Sequence, residues 1–471
     1  MAVEDALYRY LKSYKVAPDW IKLLVSWPVY VIPRPVLLGR EYSRITELSR
    51  LYEFVERINI EEYQLLKLQS ILKDAYTHIP AYRSKWDAAG IKPGMIKDLS
   101  DFKKYIPFTT REEVQNNTEA FVSGKYKPSL RLKINTGGST GNPLTLYYLK
   151  GYSRPAEHAH MHILWSRIKY RNGDRMARLR GDYFGKDQIS SFDPWRNTLL
   201  LSSFRLNAYN ALHYINLLIK YKIKFINAYP SSLYSLVQYT DQKSYLFPDL
   251  IGIFLGSENI YDWQLKKFRE FFNTDKIYYW YGHGELCALG GICESSPSYH
   301  FLPTYSYVEF CEQPSIETKN DTGQKLYEIV GTSFINPVMP LIRYKTQDLG
   351  MGPSEHCSGC GRNHRIMDRI IGREQEIVIG QNGEKITLTA LVFGRHQEYF
   401  NHINKMQVIN TKPGLLTIKI VPKSTFSASH EKEIIRSLSH LEGMPFTTVV
   451  EKVQEILPTE RGKHKFLIRE F

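Results

Sequence analysis

Residues 135–143 read NTGGSTGNP and lie between two short β-type runs, RLKI at 131–134 and LTLYYL at 144–149. Small side chains permit positive φ angles and let backbone N–H and hydroxyl groups approach phosphate oxygens closely. A hairpin turn would also use Gly and Asn, and the lysine of the G-x-x-x-x-G-K-[ST] loop is missing. We interpret the stretch as a phosphate-binding loop formed by Thr136, Gly137, Gly138, Ser139, Thr140 and Gly141.

The chain around this loop alternates between strand-like and helical patterns. A helix is predicted over 60–76, and strand-like runs occur in LIGIFLGSENI (250–260) and KIYYWYGHGE (276–285). This alternation predicts an α/β fold with covered, largely parallel sheet. After Gly372 the pattern changes to short strands, a helix over 427–441 and a last strand, typical of a small α+β module. We therefore predict two domains, 1–372 and 373–471.

Composition excludes several protein classes. With 43% hydrophobic and 23% charged residues the chain is globular, and its net charge of +14 favours phosphate-bearing ligands or an anionic membrane surface. Nucleic acid is not an expected partner. An odd count of five cysteines and the absence of a leader-like pattern predict the cytoplasm. The apolar run at 23–33 is too short to span a bilayer. It is either buried in the protein or, because its flanks are basic, in contact with the inner face of the membrane.

Five further sequence motifs follow the glycine-rich loop along the chain. They are LGSE (255–258), YGHGE (281–285), RYKTQDLG (343–350), IIGREQEIVI (370–379) and TERGKHKF (459–466). In this order they resemble the motifs of the adenylate-forming (acyl-AMP) ligase superfamily. The opening regions at 73–86 and 98–114 and the late C-x-x-C-G-R resemble its phenylacetate-CoA ligase and CapK capsule-biosynthesis branch.

This resemblance implies a large adenylation domain, a small mobile C-terminal domain, and ATP, AMP and Mg²⁺ as ligands. Lys463 matches the catalytic lysine, with Lys465 as its rival, and Glu285 matches the magnesium-binding carboxylate. In the hinge segment both Gln375 and Glu376 stay open as the pivot. The remaining implied nucleotide-site residues are Gly256, Ser257, Glu258, Tyr281, Gly282, Asp348 and Arg373.

The implied function is an ATP-dependent carboxylate ligase that forms an acyl-AMP intermediate. Its acyl group would pass to CoA, an amine or a sugar-linked acceptor, in capsular or other surface-polysaccharide biosynthesis. One alternative is a phenylacetate or aryl-acid CoA ligase. Another is a non-catalytic nucleotide-binding scaffold, motivated by departures from the family pattern at Gly284, Gln347 and Gln375.

The acyl pocket is defined less sharply. By resemblance, residues 229–231 and Gly256 line it, and the aromatic run 278–280 predicts either a flat slot for a ring or core packing. The stretch 167–186 carries seven basic and two acidic residues. It predicts either contact with a phosphate-bearing acceptor or a solvated face.

Cysteine and histidine residues give a second signal. Cys293 and His300 follow YGHGE, and Cys357 and Cys360 form C-S-G-C, which together supply a Cys₃His set for structural Zn²⁺. The alternative is four unlinked, reduced residues. Within the zinc hypothesis, Cys287 is the substitute ligand if Cys293 points away. The three alternating histidines of EHAHMHILW (157–165) would line up on a strand; we expect a helix there and no metal.

Overall fold

A computed structural model describes residues 19–26, 37–135, 144–182, 188–240, 244–313, 325–373, 377–381, 385–387, 399, 402–441, 444–457 and 465–471. Within these ranges the α-helices are α1 Asp19–Ser26, α2 Arg40–Leu51, α3 Arg57–His78, α4 Pro80–Ala88, α5 Leu99–Tyr105, α6 Arg111–Asn116, α7 Ser153–Ser166, α8 Ala211–Lys220, α9 Pro230–Thr240, α10 Asp262–Phe272 and α11 Ala428–Ser439.

The strands up to the predicted domain boundary are β1 Arg131–Asn135, β2 Thr145–Leu149, β3 Met176–Arg180, β4 Ser190–Asp193, β5 Thr198–Ser202, β6 Phe225–Ala228, β7 Gly252–Gly256, β8 Ile277–Gly282, β9 Leu289–Gly291, β10 Tyr299–Phe301, β11 Ser306–Glu312, β12 Tyr327–Ser333, β13 Tyr344–Ser354 and β14 Arg365–Arg373. Those that follow are β15 Ile377–Ile379, β16 Lys385–Thr387, β17 Ile403–Lys412, β18 Leu415–Pro422, β19 His440–Leu441, β20 Met444–Pro445, β21 Thr447–Lys452 and β22 Leu467–Arg469.

A mixed sheet of twelve strands dominates the described part of the chain. Its order is β11-β12-β13-β14-β10-β9-β8-β7-β6-β3-β5-β4. Strands β5, β3, β6, β7 and β8 run parallel, and every residue of β5, β6 and β7 is buried because helices or the N-terminal region cover both faces. The α/β class and the covered sheet are confirmed. The expectation of a largely parallel sheet is wrong, because the strands from β9 to β14 and the edge strand β4 pair antiparallel.

The two faces of the parallel strands pack against different layers. Phe225, Phe254 and Tyr278 belong to a core shared with the N-terminal helices. Ile226 and Leu255 point to the other face and pack against α8, α9 and α10. This alternation fixes which side chains meet at the carboxyl ends of the strands, where open α/β sheets bind their ligands.

The strands on either side of the glycine-rich stretch form an antiparallel pair. β1 and β2 align Arg131 with Leu149 and Asn135 with Thr145. The flanks are therefore those of a hairpin, the arrangement that the sequence left open. Residues 136–143 lie outside the described part of the chain.

The C-terminal region has its own small sheet of order β21-β18-β17-β22, and the strand and helix pattern predicted there is confirmed. Its core contains Val408, Ile418 and Ile434. It contacts the larger sheet's helices, since the rings of Phe466 and Tyr261 lie 5.8 Å apart in an edge-on contact. The division at 372/373 stays a prediction.

Candidate active site

The carboxyl end of β7 carries the LGSE segment. Ser257 adopts a left-handed backbone conformation with φ of 68°, which is unusual for a non-glycine residue and typical of functional sites. The Glu258 carboxylate accepts hydrogen bonds from the backbone N–H and the hydroxyl of Ser231, both at 3.0 Å. The first turn of α9 is thus tied to the end of β7.

The next strand carries YGHGE and brings two predicted nucleotide residues together. The Tyr281 hydroxyl donates to Asp348 Oδ2 at 2.6 Å across 67 residues of sequence. Burial together with the Asp348 charge raises the pKa of Tyr281 well above its usual range, so the phenol keeps its proton. In the antiparallel register, the backbone of Arg373 lies directly opposite Asp348.

Gly282 is the last residue of β8, before the segment that carries Glu285. A Cβ atom there would lie 2.8 Å from Leu289 Cδ1, so a larger residue would require the Leu289 side chain to shift.

Glu285 is a buried carboxylate with two cationic neighbours. Its Oε1 lies 3.4 Å from Arg111 Nη1 and its Oε2 lies 3.1 Å from His283 Nδ1. Burial disfavours a charged imidazole, but Cys287 and Glu285 outweigh that effect and raise the pKa of His283 well above its usual value. The two contacts hold the Glu285 carboxylate in one orientation, as the neighbours of a Mg²⁺ ligand do.

Two of these neighbours were not identified from the sequence. Arg111 begins α6, in a stretch used only as a sign of the family branch, and no local signal links it to a residue 174 positions away. His283 occupies the variable position of YGHGE. Glu157 on α7 is a further carboxyl group that interacts with His283. Burial raises the pKa of Glu157 to about 7, although the charge of His283 acts to lower it.

Several predicted site residues lie outside the described part of the chain. They are the catalytic lysine candidate Lys463, the hinge residues 374–376, and the loop residues Thr136, Gly137, Gly138, Ser139, Thr140 and Gly141. Their assignments stay predictions. Lys465 and Phe466 are described, and the Lys465 carbonyl accepts a hydrogen bond from Gln407 Nε2 at 2.8 Å.

The residues expected to line the acyl pocket lie beside this site. Tyr229 follows β6, Gly256 ends β7, and Trp280 lies opposite Gly256 on β8. Of the aromatic run, Tyr278 is a core residue that also contacts the Arg167 guanidinium, with Arg167 Nη1 3.4 Å from its hydroxyl. Trp280 is the aromatic residue whose indole ring lies across Gly256.

The basic stretch 167–186 is only in part a solvated face where it is described: Lys169 and Arg171 are exposed, whereas its other arginines are buried or partly buried. Arg167 is buried and donates from Nη1 to the carbonyls of Gly291 and Ile292 at 3.1 and 2.8 Å. Arg178 forms a two-bond ion pair with Asp182, both bonds at 2.8 Å. These arginines have structural partners within the chain.

Cys293, His300, Cys357 and Cys360 converge, with one ligand atom from each lying within 4.8 Å of all the others. Two turns bring them together: Cys293 and His300 border the β9–β10 connection, and the Cys357 turn closes with Gly361 N–H donating to the Cys357 carbonyl at 2.8 Å. Positive φ at Gly361, 74°, suits this turn. The predicted ligand set is assembled, while Cys287 lies elsewhere, 3.7 Å from His283 Nε2.

The donor set fits a zinc ion. Both ring nitrogens of His300 are buried and have no hydrogen-bond partner among the described residues. Burial, with Arg167 and Arg362 nearby, lowers the pKa of His300 to about 3, which leaves a neutral imidazole able to bind metal. The Ser295 N–H donates to Cys293 Sγ at 3.4 Å, but burial raises the pKa of Cys293 to about 11. At Cys360, burial is outweighed by hydrogen bonds from Arg362, which lower the pKa of the thiol.

The helix predicted for the three alternating histidines is confirmed. They lie on α7, where His160 is buried and contacts the Ala156 carbonyl at 2.8 Å and Thr304 Oγ1 at 3.0 Å. His162 Nδ1 lies 2.9 Å from the Tyr42 hydroxyl. Both histidines have polar partners within the protein.

Comparison with known proteins gives a consistent picture. Residues 378–470 match the family model described as the CapK C-terminal domain. The chain is 24% identical over 350 residues to phenylacetate-coenzyme A ligase of Escherichia coli K12, covering 69% of the chain and 74% of that protein. It is 22% identical over 439 residues to protein CapK of Staphylococcus aureus, covering 91% of each.

Among solved structures, 2-hydroxyisobutyryl-CoA ligase in the postadenylation state with 2-HIB-AMP superposes with a TM-score of 0.68 at 17% identity, covering 89% of this chain and 91% of that one. The chain therefore has the fold of adenylate-forming CoA ligases, and its sequence resembles the phenylacetate-CoA ligase and CapK branch. None of the described helices is long and apolar enough to cross a membrane.

Proposed function

We propose that the protein is an ATP-dependent carboxylate ligase that forms an acyl-AMP intermediate and transfers the acyl group to CoA. The observation that carries this proposal is the Tyr281–Asp348 hydrogen bond of 2.6 Å, because it joins two motif residues at the carboxyl edge of the parallel strands. Glu285, with its cationic neighbours, lies on the same segment.

In the first half-reaction, a carboxylate oxygen of the acid attacks the α-phosphorus of ATP. The bond between that phosphorus and the oxygen bridging to the β-phosphorus breaks, and pyrophosphate leaves. Asp348 would accept hydrogen bonds from the ribose hydroxyls, and the residues of LGSE would lie against the adenine. Glu285 would bind Mg²⁺, which neutralises negative charge on the leaving pyrophosphate.

Lys463 would donate to the carboxylate and bridging oxygens, where charge develops in the transition state. The contact between Phe466 and Tyr261 supports this role, because it ties the strand segment after Lys463 to the segment after LGSE. In the second half-reaction a thiolate attacks the acyl carbonyl carbon, and the bond to the AMP oxygen breaks. Movement of the small domain about residues 373–376 would admit that nucleophile.

CoA is the favoured acceptor because relatives on both lines of comparison are named CoA ligases. Similarity to CapK supports a role in capsular polysaccharide biosynthesis, and similarity to phenylacetate-coenzyme A ligase supports an aryl acid as substrate. An amine acceptor has no such support.

We also propose that Cys293, His300, Cys357 and Cys360 hold a structural Zn²⁺. Four ligands supplied by the protein leave no open position, as in structural zinc sites. Zinc there would join the β9–β10 turn to the β13–β14 turn and fix that edge of the large sheet.

The test of the ligase proposal is isotope exchange between pyrophosphate and ATP in the presence of aryl, fatty, amino and uronic acids. Acid-dependent exchange is expected, with a loss of about 100-fold or more in Lys463→Ala because one transition-state donor is removed. Lys465→Ala is the matched control. Exchange that is unchanged in Lys463→Ala contradicts the lysine assignment, and ATP binding without exchange for any acid favours the scaffold alternative.

A further inference from the structure

Four neighbouring parallel strands place Arg180, Tyr229, Gly256 and Trp280 in one row. The registers of β3 with β6, β6 with β7 and β7 with β8 put these positions level with one another. Adjacent strands lie about 4.8 Å apart, and level residues point to the same face. The row forms one wall at the carboxyl edge, next to the candidate nucleotide site.

The glycine in this row makes room for the indole ring. A Cβ atom at Gly256 would lie 2.6 Å from Trp280 Cε2 and 2.8 Å from Trp280 Nε1, so the indole lies across the glycine. Arg180 Cζ is 5.5 Å from the Trp280 ring centre and 5.0 Å from that of Tyr229. The two rings hold the guanidinium in place by cation–π contact.

Three hydrogen-bond donors in this cleft are buried and have no acceptor among the described residues. They are Arg180 Nε, Arg180 Nη2 and Trp280 Nε1. Buried donors are almost always paired in native proteins, because an unpaired donor has lost its hydrogen bond to water without gaining another. Three together indicate that the acceptor is a ligand.

The carboxylates close to Arg180 hold other partners. Asp182 binds Arg178 through two hydrogen bonds of 2.8 Å, and Glu258 accepts from Ser231. Burial lowers the pKa of Arg180, which shows that the guanidinium is desolvated, but an arginine stays protonated at any physiological pH. Among the residues that the structure describes, no carboxylate is hydrogen-bonded to Nε or Nη2 of this buried guanidinium.

The chemistry of the donors defines the guest. Nε and Nη2 form the side of the guanidinium that matches the two oxygens of a carboxylate in a bidentate pair. The indole N–H adds a third donor close to the same place. We propose that the acid substrate is a dicarboxylic acid, whose second carboxylate binds Arg180 and Trp280 while the first is activated. This inference rests on the proposed ligase function and names its substrate class.

The test compares acids that differ only in the second carboxylate: succinate with butanoate, glutarate with pentanoate, and 4-carboxyphenylacetate with phenylacetate. In pyrophosphate exchange, the wild type should prefer at least one diacid over its partner by tenfold or more in kcat/KM. Arg180→Met should lower kcat/KM for that diacid about 100-fold, mainly through KM, because a charged hydrogen-bonded pair is lost. The preference for the diacid over its monoacid partner should therefore be lost in this variant.

Further variants separate the interaction from general damage. Arg180→Lys keeps the charge but loses the two-bond geometry and should fall between wild type and Arg180→Met. Trp280→Phe keeps the ring and removes one neutral donor, so a loss of about fivefold is expected. The exposed Arg171, substituted as Arg171→Met, is the matched control and should behave as wild type.

Other outcomes overturn the inference. Equal or better activity with every monoacid, unchanged in Arg180→Met, would leave the ligase function intact and remove the dicarboxylate. Weaker ATP binding by Arg180→Met without any acid would assign the donors to a nucleotide phosphate instead. If no acid supports exchange, the ligase function fails; equilibrium dialysis of labelled diacids then decides this site separately, with binding lost in Arg180→Met supporting it and equal binding overturning it.

Discussion

The Cys/His cluster and the Arg180 cleft are both buried, and both contain polar atoms without partners, but the atoms are of opposite kinds. At the cluster, thiols and the bare imidazole of His300 offer electron pairs. At the cleft, Arg180 and Trp280 offer only N–H groups. Atoms that offer electron pairs bind a cation, and N–H groups bind an anion. The kind of unpartnered atom therefore identifies the charge of the ligand that each site would bind.

The two regions also differ in how they are built. The cluster joins two turns that are far apart in sequence and are closed by backbone hydrogen bonds such as Cys357 N–H to the Arg362 carbonyl at 3.0 Å. The cleft is one row across adjacent strands of a single sheet. Removing a metal-binding side chain from the cluster should therefore destabilise the protein, whereas removing a donor from the cleft should lower the affinity for its ligand.

The largest expected effect tests the cluster. Cys357→Ser removes a buried ligand, so bound zinc should fall from about one per chain to near zero. If free zinc exceeds its dissociation constant a thousandfold, the free energy of unfolding should drop by about 4 kcal/mol. Metal analysis and urea unfolding measure both quantities.

The matched control is Cys311→Ser, since Cys311 is a half-buried cysteine on β11 outside the cluster and should keep its metal. Wild-type protein purified without zinc, or full zinc content in Cys357→Ser, would contradict the assignment of a metal ion to the cluster.

A smaller effect tests the nucleotide side of the carboxyl edge. Tyr281→Phe leaves Asp348 without its 2.6 Å donor, so the carboxylate loses its orientation toward the ribose. We expect KM for ATP to rise about tenfold, because a hydrogen bond to a charged group contributes roughly 1.5 kcal/mol, while kcat changes little.

Tyr279→Phe is the neighbouring control, because the Tyr279 hydroxyl pairs with the Pro297 carbonyl at 3.5 Å and not with Asp348. Steady-state kinetics at saturating acid measure both variants. An equal rise in KM for both would show that the effect comes from the strand as a whole and not from the Asp348 contact.

The last prediction concerns the protonation of a buried carboxyl group near the candidate active site. Burial raises the pKa of Glu157 from 4.5 to about 7, so between these values the folded state holds a proton that the unfolded chain has lost. Its contribution to stability is present below pH 4.5 and is lost as the pH rises to about 7. Glu157→Gln should match wild type near pH 5 and be the more stable protein at pH 8.

Unfolding by urea at both pH values measures this, with Glu270→Gln as control because Glu270 is exposed on α10. A Glu157→Gln variant whose stability relative to wild type is the same at both pH values would contradict the raised pKa.

Sequence patterns were sufficient where the chemistry is local. The motifs at 255–258 and 281–285 predicted strand ends that carry polar groups, and C-S-G-C with Cys293 and His300 predicted the cluster, because ligand spacing within a turn is readable from the chain. The contacts of Arg111 and Arg180 were not predicted. Both depend on the register of distant elements, and in the run 167–186 the pattern of charge does not distinguish a buried arginine from a solvated one.

Four non-glycine residues with left-handed backbones, Ser257, Leu286, Arg343 and Gln347, occur in or beside three of the motif segments, with φ between 46° and 68°. Each conformation costs of order 1 kcal/mol and is held by its surroundings. Selection for thermostable variants is therefore expected to favour glycine at Ser257, Leu286 and Gln347. Such variants would gain stability while loosening the backbone that aims Glu258, Glu285 and Asp348, so selection for durability and selection for turnover would pull this chain in opposite directions.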